Sequence, residues 1–186
     1  NVQNNGLISN SSLASGATLT GGTLTGAITS EGTISNIDFT GSKLSGGTLA
    51  GTITNNSQVG GVIENVNLAP NTTLTGGRIG GTITADPTST LRNVQLMANT
   101  NLVGGTLAGN ITAGPGSTLQ DVQFAAGATL NGGTLSGNIS GDPDQPAQLT
   151  NVTIAPGTEL SNVTLTPPVT VPKDVILGPG VSLPDD

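Results

Sequence analysis

The apolar positions of this chain recur in a phrase of ten: apolar, x, Gly, Gly, x, apolar, x, Gly, x, Ile. It reads LTGGTLTGAI at 19–28, LSGGTLAGTI at 44–53, LTGGRIGGTI at 74–83, LVGGTLAGNI at 102–111 and LNGGTLSGNI at 130–139. The starts at Leu19, Leu44, Leu74, Leu102, Leu130 and Leu160 are 25, 30, 28, 28 and 30 residues apart. Leu160, Leu165 and Val169 keep the internal spacing in a sixth copy. A fixed period of this size predicts a solenoid, in which each repeat buries its apolar side chains only by stacking on its neighbours.

Within the first copy, Leu24, Gly26 and Ile28 alternate with Thr23, Thr25, Ala27 and Thr29. Period two predicts a strand with the first set inward and the second outward. The preceding Gly-Gly pair suits a bend or a close backbone approach. A second apolar segment completes each repeat: ISNIDF at 34–39, IENVNL at 63–68, LRNVQL at 91–96, LQDVQF at 119–124 and LTNVTI at 149–154. This alignment puts Phe39 and Phe124 in one column with Leu68, Leu96 and Ile154, and Asn36, Asn65, Asn93, Asp121 and Asn151 in another. Side chains stacked in the second column would hydrogen-bond from coil to coil inside the solenoid.

Length varies almost wholly between the two segments, where the step is 6, 10, 8, 8 or 10 residues. The connectors Ala85–Thr90, Ala113–Thr118 and Gly141–Gln148 carry the Pro, Gly and Asp of turns, and are expected as loops at one corner. The fold class expected is all-β, a single-chain parallel β-helix of about 25–30 residues per coil, roughly triangular, with about five and a half coils. Residues 1–16 are expected as a cap or lead-in, 17–165 as solenoid and 166–186 as a cap or linker. In that tail Pro167, Pro168, Pro172, Pro179 and Pro184 oppose a central strand.

Residues 17–51 also read in fives: ATLTG, GTLTG, AITSE, GTISN, IDFTG, SKLSG and GTLAG. In this the stretch resembles pentapeptide-repeat proteins, where a central Leu or Phe points inward and a small residue precedes it by two. The repeats as a whole are similar to the right-handed parallel β-helix modules of bacterial surface and secreted proteins. That resemblance implies adhesins, stalks and polysaccharide-acting proteins as relatives in shape. The GGTLTGAI-like phrases are also similar to those recurring along trimeric phage tail-fibre stalks.

Composition narrows the function classes. The chain holds 186 residues with two Phe and no His, Cys, Trp or Tyr, so its core must come from Leu, Ile and Val. Net charge is −7, with Lys43, Arg78, Arg92 and Lys173 the only cations, which argues against nucleic acid and anionic membrane surfaces as partners. No apolar run reaches the length of a membrane helix. The chain opens at Asn1 without Met, as a mature or excised fragment would. Its Thr, Asn, Gly and Ser richness with scarce Lys suggests an extracellular or cell-surface, bacterial or viral setting.

A catalytic constellation is not visible. Without His or Cys, zinc sites and thiol or imidazole catalysis are excluded. The acids Glu31, Asp38, Glu64, Asp86, Asp121, Asp142, Asp144, Glu159, Asp174, Asp185 and Asp186 do not share a column as a glycosidase pair would. Asp86 and Asp142/Asp144 share the variable corner in this alignment, where a calcium ion could be held, but no repeat supplies a regular ligand set. No enzyme activity, metal or cofactor is expected. Sequons at Asn10, Asn55, Asn71, Asn110, Asn138, Asn151 and Asn162 follow from the abundance of Asn, Ser and Thr.

One surface has character: the outward residues of the first strand, with Thr23, Thr25, Thr29, Thr48, Thr52, Thr54, Thr82, Thr84, Thr106, Thr112, Thr134 and Ser136 as its candidate contact residues. This array resembles the Thr-x-Thr ice-binding faces of solenoid antifreeze proteins, although Arg78 interrupts it and Thr is also a good strand former. The reading that follows is a non-catalytic structural module, a rigid spacer or adhesive stalk of a larger secreted or cell-surface protein. Its partners would be neighbouring domains or a surface ligand, and a monomer closing its own coils is expected. The alternatives are an ice-binding protein and a trimeric phage tail-fibre stalk.

Overall fold

The structure is a computed structural model, and it describes residues 1–56 and 61–183. Pro184, Asp185 and Asp186 lie outside the described residues. There is no helix among the described residues; 25 strands form one parallel sheet wound into a solenoid of about ten turns.

The register measures the turn. Leu19 pairs with Ile34 and Ile34 with Leu49, steps of 15. Leu74 pairs with Leu91 and Leu91 with Leu107, steps of 17 and 16, and the widest steps reach 21, from Ile53 to Leu74 and from Ile139 to Leu160. The expected coil of 25–30 residues is therefore corrected to 15–21 residues, and five and a half coils to about ten. At about 4.8 Å per turn the rod is roughly 48 Å long.

Each turn has three faces, each built on a strand segment with one apolar side chain pointing in, or two as at Ile83 and Ala85. Face A carries Leu19, Ile34, Leu49 and Leu68, and continues through Ile83, Leu102, Leu119, Leu135 and Ile154. Face B carries Ile53, Leu74, Leu91, Leu107 and Phe124; face C carries Leu44, Ile63, Ile79 and Leu96. These side chains form one core cluster, each at most 4 % exposed. Fully burying each contributes about 1.5–3 kcal/mol before entropy is subtracted.

The mismatch between repeat and coil has a simple cause. One repeat supplies five inward strand positions, for example Leu102, Leu107, Ile111, Leu119 and Phe124, with Val122 buried beside them, while one turn uses three. A repeat is thus five-thirds of a turn, and homologous residues return to the same face only after three repeats, or five turns. Phe39 and Phe124 obey this rule: both lie on face B, three repeats apart. Their homologues Leu68, Leu96 and Ile154 lie on faces A, C and A, so the single expected column is not formed.

The same phase distributes the connectors. Ala85–Thr90 joins faces A and B, Ala113–Thr118 joins C and A, and Gly141–Gln148 joins B and C. The one-corner expectation is corrected to three corners used in rotation. At the two termini, Val2–Gln3, Leu7–Ser9 and Ser12–Leu13 pair onto the next turn, and Ile176–Leu177 pairs onto Glu159–Leu160.

Candidate functional site

The corners decide which side chains can share a surface. Gly26, Gly51, Gly81, Gly109 and Gly137, expected as inward strand residues, have φ between +66° and +72° and turn the chain from one face to the next. Each faces an Asn or Asp of the preceding turn: Asn10, Asn36, Asn65, Asn93 and Asp121, themselves at φ between +50° and +56°. Asn is among the few non-Gly residues that adopt this region readily. The Oδ1 of Asn36 accepts the Thr52 N–H at 2.9 Å, that of Asn65 the Thr82 N–H at 2.9 Å, and that of Asn93 the Asn110 N–H at 2.8 Å.

The Asn column was therefore expected inside, and the structure places it outside. Asn36, Asn65, Asn93, Asp121 and Asn151 are exposed. Coil-to-coil bonding does occur, but a backbone N–H of the next turn donates to the side-chain oxygen of Asn36, Asn65, Asn93 and Asp121, while the Asn151 side-chain amide donates to that of Asn131. A carboxylate can accept as an amide oxygen does, which explains why Asp121 substitutes at one turn and receives the Asn138 N–H at 2.8 Å.

Because the Gly corner falls between Thr25 and Ala27, the expected single surface is divided. Of its twelve candidates, Thr48, Thr82, Thr84, Thr134 and Ser136 stand on face A. Thr23, Thr25, Thr52, Thr54 and Thr106 stand on face B, and Thr29 and Thr112 on face C.

Face A gathers a different set. Thr18, Thr33, Thr48, Asn67 and Thr84 form one ladder, and Thr82, Asn101, Thr118, Thr134 and Thr153 the next. Over the nine turns from Thr18 to Ala155 its outward ladder positions hold no charged residue, and the partly exposed Asp86 stands two residues beyond Thr84 where its strand leaves the face. Face B carries Asp38, Arg92 and Glu159, although it has its own ladder of Thr52, Thr73, Thr90 and Thr106. Face C carries Lys43, Glu64 and Arg78, with Lys43 and Glu64 paired at 3.5 Å. Such an exposed pair is worth little.

The residues missed by reasoning on the long repeat are Thr18, Thr33, Thr118 and Thr153. Their signal was the reading in fives: every third five is one turn, so Thr18, Thr33 and Thr48 stack at steps of 15. Strand pairing spaces the ladder by about 4.8 Å along the axis, and two residues along a strand by about 6.6 Å. Each Thr is β-branched and stiff at χ1, so the array holds hydroxyl and methyl groups in fixed places.

The acids are dispersed. Among the described residues no three come together in a group able to hold a metal ion. Asp86 lies at the A/B corner and Asp142 and Asp144 at the B/C corner, so the shared corner expected of them is corrected too. Both Asp86 and Asp142 bond their own turns. Asp86 Oδ1 accepts from the Thr88 hydroxyl at 2.6 Å and the Thr88 N–H at 2.9 Å, and these bonds hold its carboxyl below the usual aspartate range. Asp142 Oδ1 accepts the N–H groups of Asp144 and Gln145.

No helix among the described residues is long and apolar enough to cross a membrane. No protein-family model, curated protein or solved structure matches this chain.

Proposed function

We propose that this chain is a non-catalytic rigid spacer, or adhesive stalk, within a larger secreted or cell-surface protein. One observation carries the reading: the turns from Leu19 to Leu165 share one core and are joined by strand pairing from turn to turn, while the acids are spent on turns or dispersed over the surface. A solenoid of this kind resists bending because each turn is bonded to the next on all three faces. Closure of every turn within one chain supports a monomer over a fibre of three chains.

The chain has no native Cys, so paired spin labels report its length unambiguously. Thr18→Cys and Thr153→Cys sit on face A eight turns apart, and should give a narrow distance distribution centred near 38 Å. A broad distribution, such as a flexible Gly/Ser-rich chain gives, would overturn the spacer reading.

A second reading, ice binding, is favoured by the charge-free Thr ladders of face A. The ladders are stiff and follow one another along the rod with an offset of two residues at Thr82 and Thr84, and an ice surface offers an uncharged lattice to match them. Thermal hysteresis is the measurement. Activity should be present, should be abolished by Thr82→Tyr or Thr118→Tyr on face A, and should survive Thr52→Tyr on face B. Absence of hysteresis in the unsubstituted protein removes this reading and leaves the spacer intact.

A further inference from the structure

The chain contains two Asn-Gly pairs, Asn5-Gly6 and Asn131-Gly132, and the fold treats them oppositely. Asn131 ends the strand Thr129–Asn131, which pairs with Asn110–Thr112 on one side and Gln148–Thr150 on the other. Its neighbour's amide, Gly132 N–H, donates to the Thr150 carbonyl at 2.9 Å, and its own Oδ1 accepts from Asn151 Nδ2 at 3.1 Å. Asn5 and Gly6 lie between the strands Val2–Gln3 and Leu7–Ser9, and both are exposed. A Cβ at Gly6 would meet nothing within 4 Å, and the Gly6 amide bonds only locally, to Asn4 Oδ1 at 2.9 Å.

We propose that Asn5 is a site of spontaneous modification, and that the coil stack protects Asn131 from the same reaction. The Gly6 backbone nitrogen attacks the Asn5 side-chain carbon. The new N–C bond closes a five-membered succinimide, and the side-chain nitrogen leaves as ammonia. Solvent water then opens the ring at either carbonyl, giving aspartate or isoaspartate. Attack requires the nucleophilic amide to leave its hydrogen bond and the Asn backbone to rotate out of extended geometry. At Asn131 that means opening a ladder bonded on both sides, a local unfolding event with its own free-energy cost. At Asn5 only the short-range bond from the Gly6 N–H to the buried Asn4 side chain is lost, and the Gly6 carbonyl keeps its bond from the Thr23 N–H. The product carries a new negative charge on the first turn, beside the Asn4–Gly22 corner contact.

The test is ageing of the folded full chain at mildly alkaline pH, followed by peptide mapping and isoaspartate-specific methyl transfer. Conversion at Asn5 should exceed that at Asn131 at least about tenfold, the ratio expected when one site needs about 1.4 kcal/mol or more of local opening. In concentrated urea the two sites should convert alike. Equal conversion in the folded protein, or no conversion at Asn5, overturns the proposal. Persistent silence of Asn131 in urea overturns the explanation by the fold. Gly6→Val should suppress conversion at Asn5 in both states; unchanged conversion would overturn attack by this amide.

Discussion

Gly104→Ala is expected to destabilise the protein by about 3–5 kcal/mol, whereas Gly157→Ala should cost only about 1 kcal/mol. Both glycines have nearly the same backbone, φ +81° and +79°. The left-handed region is therefore equally unfavourable for Ala at either position. What differs is the space. A Cβ on Gly157 meets nothing within 4 Å, but one on Gly104 would overlap the backbone carbonyl oxygen of Ala85 in the turn below. That oxygen belongs to the sheet and cannot swing aside as a side chain would. Urea denaturation of the two variants measures the difference directly. Equal losses would mean that conformation alone, and not contact between turns, makes the Gly-Gly corner necessary. The neighbouring position supports contact: a Cβ on Gly105 would press on the Ala85 methyl at 2.8 Å, as one on Gly133 would on that of Ala113 at 3.1 Å.

This also shows what could be read before the structure. Alternation around Leu24 and Ile28, Leu49 and Ile53, and Leu107 and Ile111 identified the strands and the inward side chains, because burial leaves a period of two in the sequence. The parallel solenoid followed from the fixed repeat, and the structure has that architecture. Coil length did not follow, because the eye takes the strongest period as the structural one. Here the strongest period, set by Gly-Gly, the single Gly and the Asn, is five faces long. The coil is three. The shorter signal was present in the fives of residues 17–51, and lengthening connectors hid it further on. Corner residues were misjudged for a related reason: Gly26 falls in phase with Leu24 and Ile28, so alternation alone cannot separate a bend from an inward position. Only its Asn10 partner in the preceding turn makes the difference visible. The candidate surface inherited that error, since homologous threonines move to a new face with each repeat.

The five-to-three relation makes an unusual demand on deletions: removing 28 residues should do less harm than removing 17. Deleting residues 74–101 takes out one whole repeat. Gly104 and Gly105 then stand over Asn55 where Gly76 and Gly77 stood, and Gly109 meets Asn65 in place of Gly81. Leu102, Leu107 and Ile111 refill the inward places of Leu74, Ile79 and Ile83. The Gly, Asn and apolar contacts between turns find homologous partners, although Gly116 replaces the Thr88 hydroxyl that accepts the Asn71 N–H, so the protein should fold with a modest loss of stability, as a repeat array does when it loses one unit. It should also be shorter by one and two-thirds turns, about 8 Å. Everything after the junction rotates by one face, carrying Thr118 and Thr153 off face A. Deleting residues 74–90 removes one turn and leaves every later residue on its original face. Yet it sets Ala98 against Asn65 and puts Asn93 and Val94 over Asn55, where only Gly fits. Several strained left-handed positions and collisions together cost on the order of 5 kcal/mol, comparable to the whole stability of many domains. Urea melts of both deletions, with Thr18→Cys and Thr153→Cys labels to read length, separate these outcomes. If the 17-residue deletion proves the more stable, face identity governs the fold, and the corner contacts between Asn and Gly are secondary to it.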